Sequence, residues 1–410
     1  MKQFLINPTL TLLLTVTGFA QSYESGGRST GRRESSWSTI SQVMGAGEDW
    51  LKYPTFDMSY NTEFQYSYQD FRSGGSSSNF VNTSDLTTTF RFAPRLAIYS
   101  DLTLEQINGP SPGQNSWLGG EGVSSSSLFL QYSNQVVTLG GGQFTPDFGI
   151  ANALAPGIFG GDFVSDYSFD DQVGLFGGLQ FGHEQVGEHV INASVFALDR
   201  TALSNSLFTS TGQTNASSGG PGNTGTLDSF SLSYNGIDVP IFSMPILQYQ
   251  LGMISQAQAE DGSGRQLGYV AGMAITIPFN RDALDTTASR YTALQPLIEY
   301  AHFDNWTGAE DATADFLTMG LEYFYGDWDL NVSSTLRDTS GVPEQANEDD
   351  YLVQATVGYQ LYGYQTYGGN GQISAGWSYS KNQGEDSNMF AVQLSLGWDI
   401  LSRFQLLEGW

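Results

Sequence analysis

The chain has three histidines, His183, His189 and His302, and no cysteine in 410 residues. Nucleophilic catalysis needs a hydroxyl or thiol, a base beside it and a third group that orients the base. No Gly-x-Ser-x-Gly elbow is present, and the nearest strings, Gly74-Gly75-Ser76 and Gly262-Ser263-Gly264, have the composition of turns. His302 stands two residues from Asp304, while His183 and His189 flank a short turn. A lone His-Asp pair at a strand end reads as a hydrogen-bonded rim contact. Without thiolates or paired histidines, a transition-metal site lacks ligands. The acidic runs Asn347-Glu348-Asp349-Asp350 and Gly384-Glu385-Asp386 offer the oxygens that calcium takes, but not the spacing of a dedicated loop. They predict a solvated acidic rim that holds Ca2+ loosely at most, and no cofactor. Gly140-Gly141-Gly142 and Gly219-Gly220-Pro221-Gly222 lead into neither a helix signal nor a Lys, so they are not phosphate cradles. An enzyme is not expected.

Charge narrows the field further. Fifteen Lys and Arg face 42 Asp and Glu, giving a formal charge of -27. Such a surface repels phosphate backbones, so nucleic acid is excluded as a partner. Only 14% of residues are charged and 13% are aromatic, with Ser, Thr, Asn, Gln and Gly abundant, a composition of strands and turns. Met1 and Lys2 precede an apolar run from Phe4 to Val16, and Gly18-Phe19-Ala20 supplies small residues, so residues 1–20 read as a signal peptide cut after Ala20. Residues 21–54 form a Ser/Gly/Arg-rich stretch with Trp37 and Trp50, whose role stays open. No later stretch reaches the length of apolar residues that a membrane-spanning helix needs.

From residue 55 the period is two. Phe56, Met58, Tyr60, Phe64, Tyr66 and Tyr68 alternate with polar residues, and so do Leu317, Met319, Leu321, Tyr323 and Tyr325, which continue through Gly326-Asp327 to Trp328, Leu330, Val332 and Leu336. Aromatics cluster beside that turn and aliphatics lie further in. A lipid-facing barrel wall has this pattern, with a wet interior on the other face. A soluble sandwich alternates too, but its strands are shorter than these.

Sixteen segments follow, near 55–69, 83–92, 95–107, 125–133, 135–146, 172–183, 189–199, 227–236, 246–258, 265–279, 290–303, 314–326, 327–338, 349–361, 371–381 and 387–401. The fifth, seventh and eleventh alternate poorly, which leaves fourteen or eighteen strands open. Connections after odd segments are long, at 70–82, 108–124, 147–171, 200–226, 304–313 and 339–348, and several after even ones are tight. An outer-membrane barrel shows this alternation of external loops and periplasmic turns. The expectation is an all-β, transmembrane, antiparallel up-and-down β-barrel over residues 55–410.

The connection after the fifth segment contains Pro156-Gly157-Ile158-Phe159-Gly160-Gly161-Asp162, followed by Asp166, Tyr167, Asp170 and Asp171. It resembles the Pro-Glu-Phe-Gly-Gly-Asp segment of the trimeric general porins of Gram-negative outer membranes. The match is local, covering about residues 143–183, with Gly157 in place of the family's acidic residue and Ile158 added. Trp410 suits the family's aromatic carboxyl end, whereas Glu408 falls where an apolar residue is usual. The resemblance implies a third external loop folded into the barrel, a homotrimer, a lipid and lipopolysaccharide surround, and loop carboxylates set against wall arginines.

In this chain the inward parity of the first strands supplies Asp57, Glu63, Asp101 and Glu105, with Arg91 and Arg95 near the periplasmic turn, and the later hairpin adds Glu322 and Arg337. With Asp162, Asp166, Asp170 and Asp171 on the loop, the pore is expected to prefer cations. Small hydrophilic solutes and cations would pass by diffusion. Two alternatives stand beside this reading: a substrate-specific channel, for instance for sugars along Tyr99, Phe129 and Phe324, and a closed structural or adhesive barrel.

Overall fold

The computed structural model describes residues 53–111, 113–183, 185–241, 246–279, 292–343, 348–361 and 369–405. The expected signal peptide, residues 21–52, Glu408 and Trp410 lie outside these described residues.

Antiparallel strands share faces residue by residue, so a row of Leu and Tyr continues into the next strand only in one register. Sixteen long strands obey this rule: β1 (Thr55–Phe71), β2 (Ser76–Ala93), β3 (Leu96–Gln106), β4 (Glu121–Ser133), β5 (Val137–Phe144), β6 (Gln172–His183), β7 (Gly187–Leu198), β8 (Ser229–Pro240), β9 (Ile246–Gln256), β10 (Gln266–Pro278), β11 (Thr292–Asp304), β12 (Thr313–Tyr325), β13 (Trp328–Ser340), β14 (Glu348–Gln360), β15 (Gly369–Asn382) and β16 (Glu385–Gln405). Each pairs with the next, and β1 closes on β16 with Phe64 opposite Leu394 and Tyr66 opposite Val392. The wall is a closed antiparallel barrel of 16 strands. Closure leaves no unpaired edge, which is what allows a sheet to sit in hydrocarbon.

The apolar rows face outward. Leu175, Leu330 and Val332 are 57%, 47% and 50% exposed, whereas the inward Phe144 and Phe196 are fully buried. This inverts a globular interior and is stable only where hydrocarbon is the solvent. Aromatic pairs ring both ends of the band. Trp328 and Tyr359 lie 4.8 Å apart beside the short turns, and Tyr66 and Phe80 meet Trp117 at 6.0 and 5.5 Å at the opposite end. Among the described residues no helix is long and apolar enough to cross a membrane, and the chain crosses with strands.

Two expectations need correction. The first external connection is not the long loop 70–82: β1 runs to Phe71 and β2 starts at Ser76, because Gly74 and Gly75 take positive φ and close a tight turn, while Ser77 and Asn79 continue the ladder opposite Gln69 and Ser67. The strand β8 extends to Pro240, past the expected end at 236, by absorbing an irregularity between Gly236 and Val239 where Asp238 has positive φ. Two additional two-residue strands lie in external loops: Ser116–Trp117 pairs with β2, and Leu207–Phe208 pairs with Gly122 and Val123 of β4. The second compensates for β5, which ends at Phe144 and leaves the upper part of β4 without its neighbour.

Candidate functional site

Beyond Phe144 the chain leaves the wall, and residues 145–171 fold into the barrel. Four sets of contacts hold the segment there. Asp147, 4% exposed, accepts from Asn192 Nδ2 at 2.8 Å, Ser233 Oγ at 2.5 Å, and Asn235 Nδ2 and Gln250 Nε2 at 2.7 Å each. Glu299, 1% exposed, accepts from the backbone N–H groups of Ile150 at 2.5 Å and Ala151 at 3.1 Å and from the Tyr167 hydroxyl at 2.7 Å. The Pro156 carbonyl accepts from Ser333 Oγ at 3.1 Å and Gln354 Nε2 at 2.7 Å, while the Ile158 N–H donates to Thr356 Oγ1 at 3.2 Å. Arg337 donates to Asp166 of the segment and Asp350 of the wall, at 2.5 Å each, with its guanidinium 4.5 Å above the Phe163 ring.

Packing reinforces these bonds. Tyr167 lies 4.8 Å from Phe316, Phe148 lies 5.6 Å from Phe303, and Phe148 meets Phe169 edge-on at 5.3 Å. A fully buried Phe contributes about 1.5–3 kcal/mol relative to an exposed one. Backbone approach is as close as glycine permits: Gly320 sits under the Pro156 ring, and Gly157, at φ +89°, lies against the Gln354 amide, so a side chain at either would collide.

The segment therefore covers the inner faces of β7 to β14 and reaches Gly376 of β15 and Ala391 of β16, and the acidic wall of β1–β3 completes the ring. There Asn61 is exposed, and Asp57, Glu63, Asp85 and Asp101 are half-buried. Glu63 accepts from Gln393 Nε2 at 3.1 Å and Ser395 Oγ at 3.2 Å, Asp101 from Thr87 Oγ1 at 3.2 Å, and Glu105 from Ser124 Oγ at 3.2 Å. Arg91 pairs with Asp57, and Arg95 is exposed at the turn after β2.

The residues expected from sequence thus separate. Phe159, Gly160 and Gly161 are buried with the segment, Asp162 is half-buried, and Asp166 is tied to Arg337. Asp170 and Asp171 sit where the segment rejoins the wall, bonded to Thr145 Oγ1 at 3.1 Å and Gln143 Nε2 at 3.5 Å. Glu322 faces inward and is 6% exposed. Tyr99 and Phe129 stack on each other at 4.9 Å, and Phe129 abuts Phe176 at 5.2 Å. Sequence reasoning missed Asp85, which accepts from Thr103 Oγ1 at 2.7 Å, although its inward parity with Asp57 and Glu63 was readable. It also missed the anchors Asp147 and Glu299, for which no local signal exists.

The histidines lie at the rims. His302 Nδ1 is 2.8 Å from Asp315 and its Nε2 3.4 Å from Asp304. His189 Nδ1 is 3.2 Å from both the Tyr234 and Tyr249 hydroxyls, and its ring stacks near Phe181. Asp386 and Asp350, from the acidic runs, pair with Arg72 and Arg337.

No family model matches the sequence, and no curated protein does. Solved structures do match. Pseudomonas putida OprB is 10% identical with a TM-score of 0.55, over 84% of this chain and 93% of that one. OmpT, an outer membrane protein of Vibrio cholerae, is 9% identical at 0.45, over 85% of this chain and 99% of that one. Pseudomonas aeruginosa OpdQ is 11% identical at 0.43, over 84% and 98%. At these identities the likeness to OprB is one of fold. Together with the closed wall and its apolar outer band, it makes this chain a β-barrel of the bacterial outer membrane.

Proposed function

We propose that the barrel is a water-filled channel for passive diffusion of small hydrophilic solutes, with a preference for cations, and that it performs no catalysis. One observation carries this reading: the in-folded segment is anchored on β7 to β14, and the half-buried carboxylates of β1–β3 stand on the inner face of the rest of the wall. Glu63, Asp85, Asp101 and Glu105 each accept from a hydroxyl or amide, which fixes the orientation of the carboxylate. A narrow passage with low-dielectric walls concentrates that field on passing ions. Two basic groups of these strands, Arg91 and Arg95, sit at the periplasmic end.

Liposome swelling with uncharged solutes of graded size tests the diffusion reading. Entry rates that fall smoothly with size support it, and saturable entry of one solute class would overturn it in favour of a substrate-specific channel.

For the assembly we propose a homotrimer in contact with lipid and lipopolysaccharide. Thr62, Asn82 and Ser84 lie on the outward face of β1 and β2, with Thr62 Oγ1 at 2.7 Å from both Ser84 Oγ and Asn82 Nδ2. They fall between the aromatic ends of a band that β12 and β13 fill with Leu, Met and Val. A polar seam there is better placed against another chain than against hydrocarbon. Cross-linking from this seam is expected to capture trimers.

A further inference from the structure

The external connection between β7 and β8 holds two large apolar side chains that the fold leaves uncovered. Leu207 is 65% exposed and Phe208 90%. They form the two-residue strand laid against β4, with Leu207 opposite Val123 and Phe208 opposite Gly122. Partners across an antiparallel ladder share a face. Val123 also stands opposite Leu104 of β3, and Leu102, two residues before Leu104 on the same face, is 39% exposed in the outward band. Leu104, Val123 and Leu207 therefore make one outward row. Leu207 carries the lipid-facing wall beyond β4 at the external end, where β5 has already ended at Phe144.

Polar bonds brace the base of this tip. Ser206, 3% exposed, donates through Oγ to the Thr209 carbonyl at 2.6 Å and accepts from the Thr211 N–H at 2.9 Å. Asn205 Oδ1 accepts from Ser210 Oγ at 2.6 Å and from the Gly212 N–H at 3.0 Å. The backbone is thus fixed on both sides of Phe208, which stands at φ +71°, a conformation unfavourable for a bulky residue. With its ring so exposed, Phe208 gains little packing within the chain to offset that strain.

Charge is missing from the same stretch. Residues 201–227 contain no Asp, Glu, Lys, Arg or His, in a chain whose formal charge is -27. Later external connections carry Glu260, Asp261, Glu310 and Asp311. Ionised side chains resist transfer to the boundary between headgroups and acyl chains, whereas Leu and Phe settle there.

We propose that the Leu207–Phe208 tip is a membrane-interface anchor, seated in the surrounding bilayer at the headgroup boundary of the outer leaflet. Continuity of the Leu104, Val123 and Leu207 row with the lipid-facing band selects lipid over a second copy of the chain as the occupant. The anchor rests on the reading that lipid surrounds the barrel, and it stands whether or not the barrel conducts.

Because the chain has no cysteine, single labels test this directly. Leu207→Cys, Leu330→Cys in the outer band and Ala216→Cys on the exposed part of the same connection each receive an environment-sensitive fluorophore. The full-length barrels are folded into phosphatidylcholine vesicles with nitroxide-labelled lipid, and iodide serves as the aqueous quencher. The label at 207 is expected to be quenched by a nitroxide near the headgroup and shielded from iodide, the label at 330 by a nitroxide deeper in the chains, and the label at 216 by iodide alone. If Leu207→Cys fails to fold, Phe208→Cys takes its place with the same expectation. Quenching of 330 by lipid with 207 open to iodide would overturn the anchor and leave the lipid surround intact. A label at 207 shielded from iodide yet untouched by nitroxide lipid would also overturn it, in favour of contact with protein. If no nitroxide reaches 330 either, the lipid surround itself fails and the anchor with it.

Discussion

The Tyr167 hydroxyl donates to Glu299 over 2.7 Å, and the same carboxylate accepts from Ile150 and Ala151 near the other end of the in-folded segment. One wall residue therefore ties the segment's descent and its return to a single point on β11. The loop holds its shape inside the lumen because Glu299 gathers three donors that would otherwise be buried without partners.

Tyr167→Phe keeps the ring against Phe316 and removes one donor to a buried carboxylate. Docking is expected to weaken by about 1–3 kcal/mol. Limited proteolysis of the folded barrel should cut within 145–171 faster than in the native chain, and an unchanged cutting rate would argue against Glu299 as the tie point.

Arg337 holds Asp166 and Asp350 at once. Arg337→Ala leaves both carboxylates in the lumen and removes the cation from the face of Phe163. The reversal potential in a KCl gradient should move further towards the value for a purely cation-selective pore, and a shift the other way would contradict the placement of these charges.

Strands of period two were legible because lipid on one side and water on the other write their contrast into alternate residues. All sixteen segments appear, including the three that alternate poorly. Those three are explained locally: β5 carries Gly140 and Gly142 where bulk would strike Phe176 and Phe129, β7 places His189 on the aromatic rim, and β11 buries Leu297 and Ala301 against the segment's aromatic cluster. The loop's position was legible from Pro156 to Asp162, but its anchors were not. Asp147, Glu299 and Arg337 act on partners tens to hundreds of residues away, and a single sequence carries no mark of such pairings. The Ser/Gly run after Phe71 reads as loop yet continues the ladder from Ser76, because small polar residues serve equally well in a strand whose partner supplies the bulk.

Burial raises the Asp166 carboxyl above the usual range for its type, against the pull of Arg337. A carboxyl with a higher pKa in the docked loop than in the free one binds protons more tightly when docked. Its contribution to docking is complete below the free value of about 3.9 and is lost as pH rises through the docked value. Amide hydrogen exchange over 160–167, corrected for intrinsic rates, should show more protection at acid than at neutral pH, and the reverse trend would contradict this assignment.

Leu321 is 40% exposed on the outer face of β12, and Gly320 beside it faces the lumen under Pro156. Leu321→Arg should cost about 2–4 kcal/mol of folding free energy into lipid vesicles if the residue lies near the bilayer midplane. Asn61→Arg, on the inner face of β1 where Asn61 is exposed, puts the same charge into the lumen and should cost far less. Equal costs for the two would show that the faces have been assigned wrongly.

The most direct measurement is single-channel recording of the folded, full-length protein in a planar bilayer under a KCl gradient. Discrete current steps with a cation-signed reversal potential, reduced in Asp85→Asn combined with Asp101→Asn, are the predicted result. A folded barrel that inserts and passes no steps, or one whose reversal potential has the sign of an anion channel, would contradict the account.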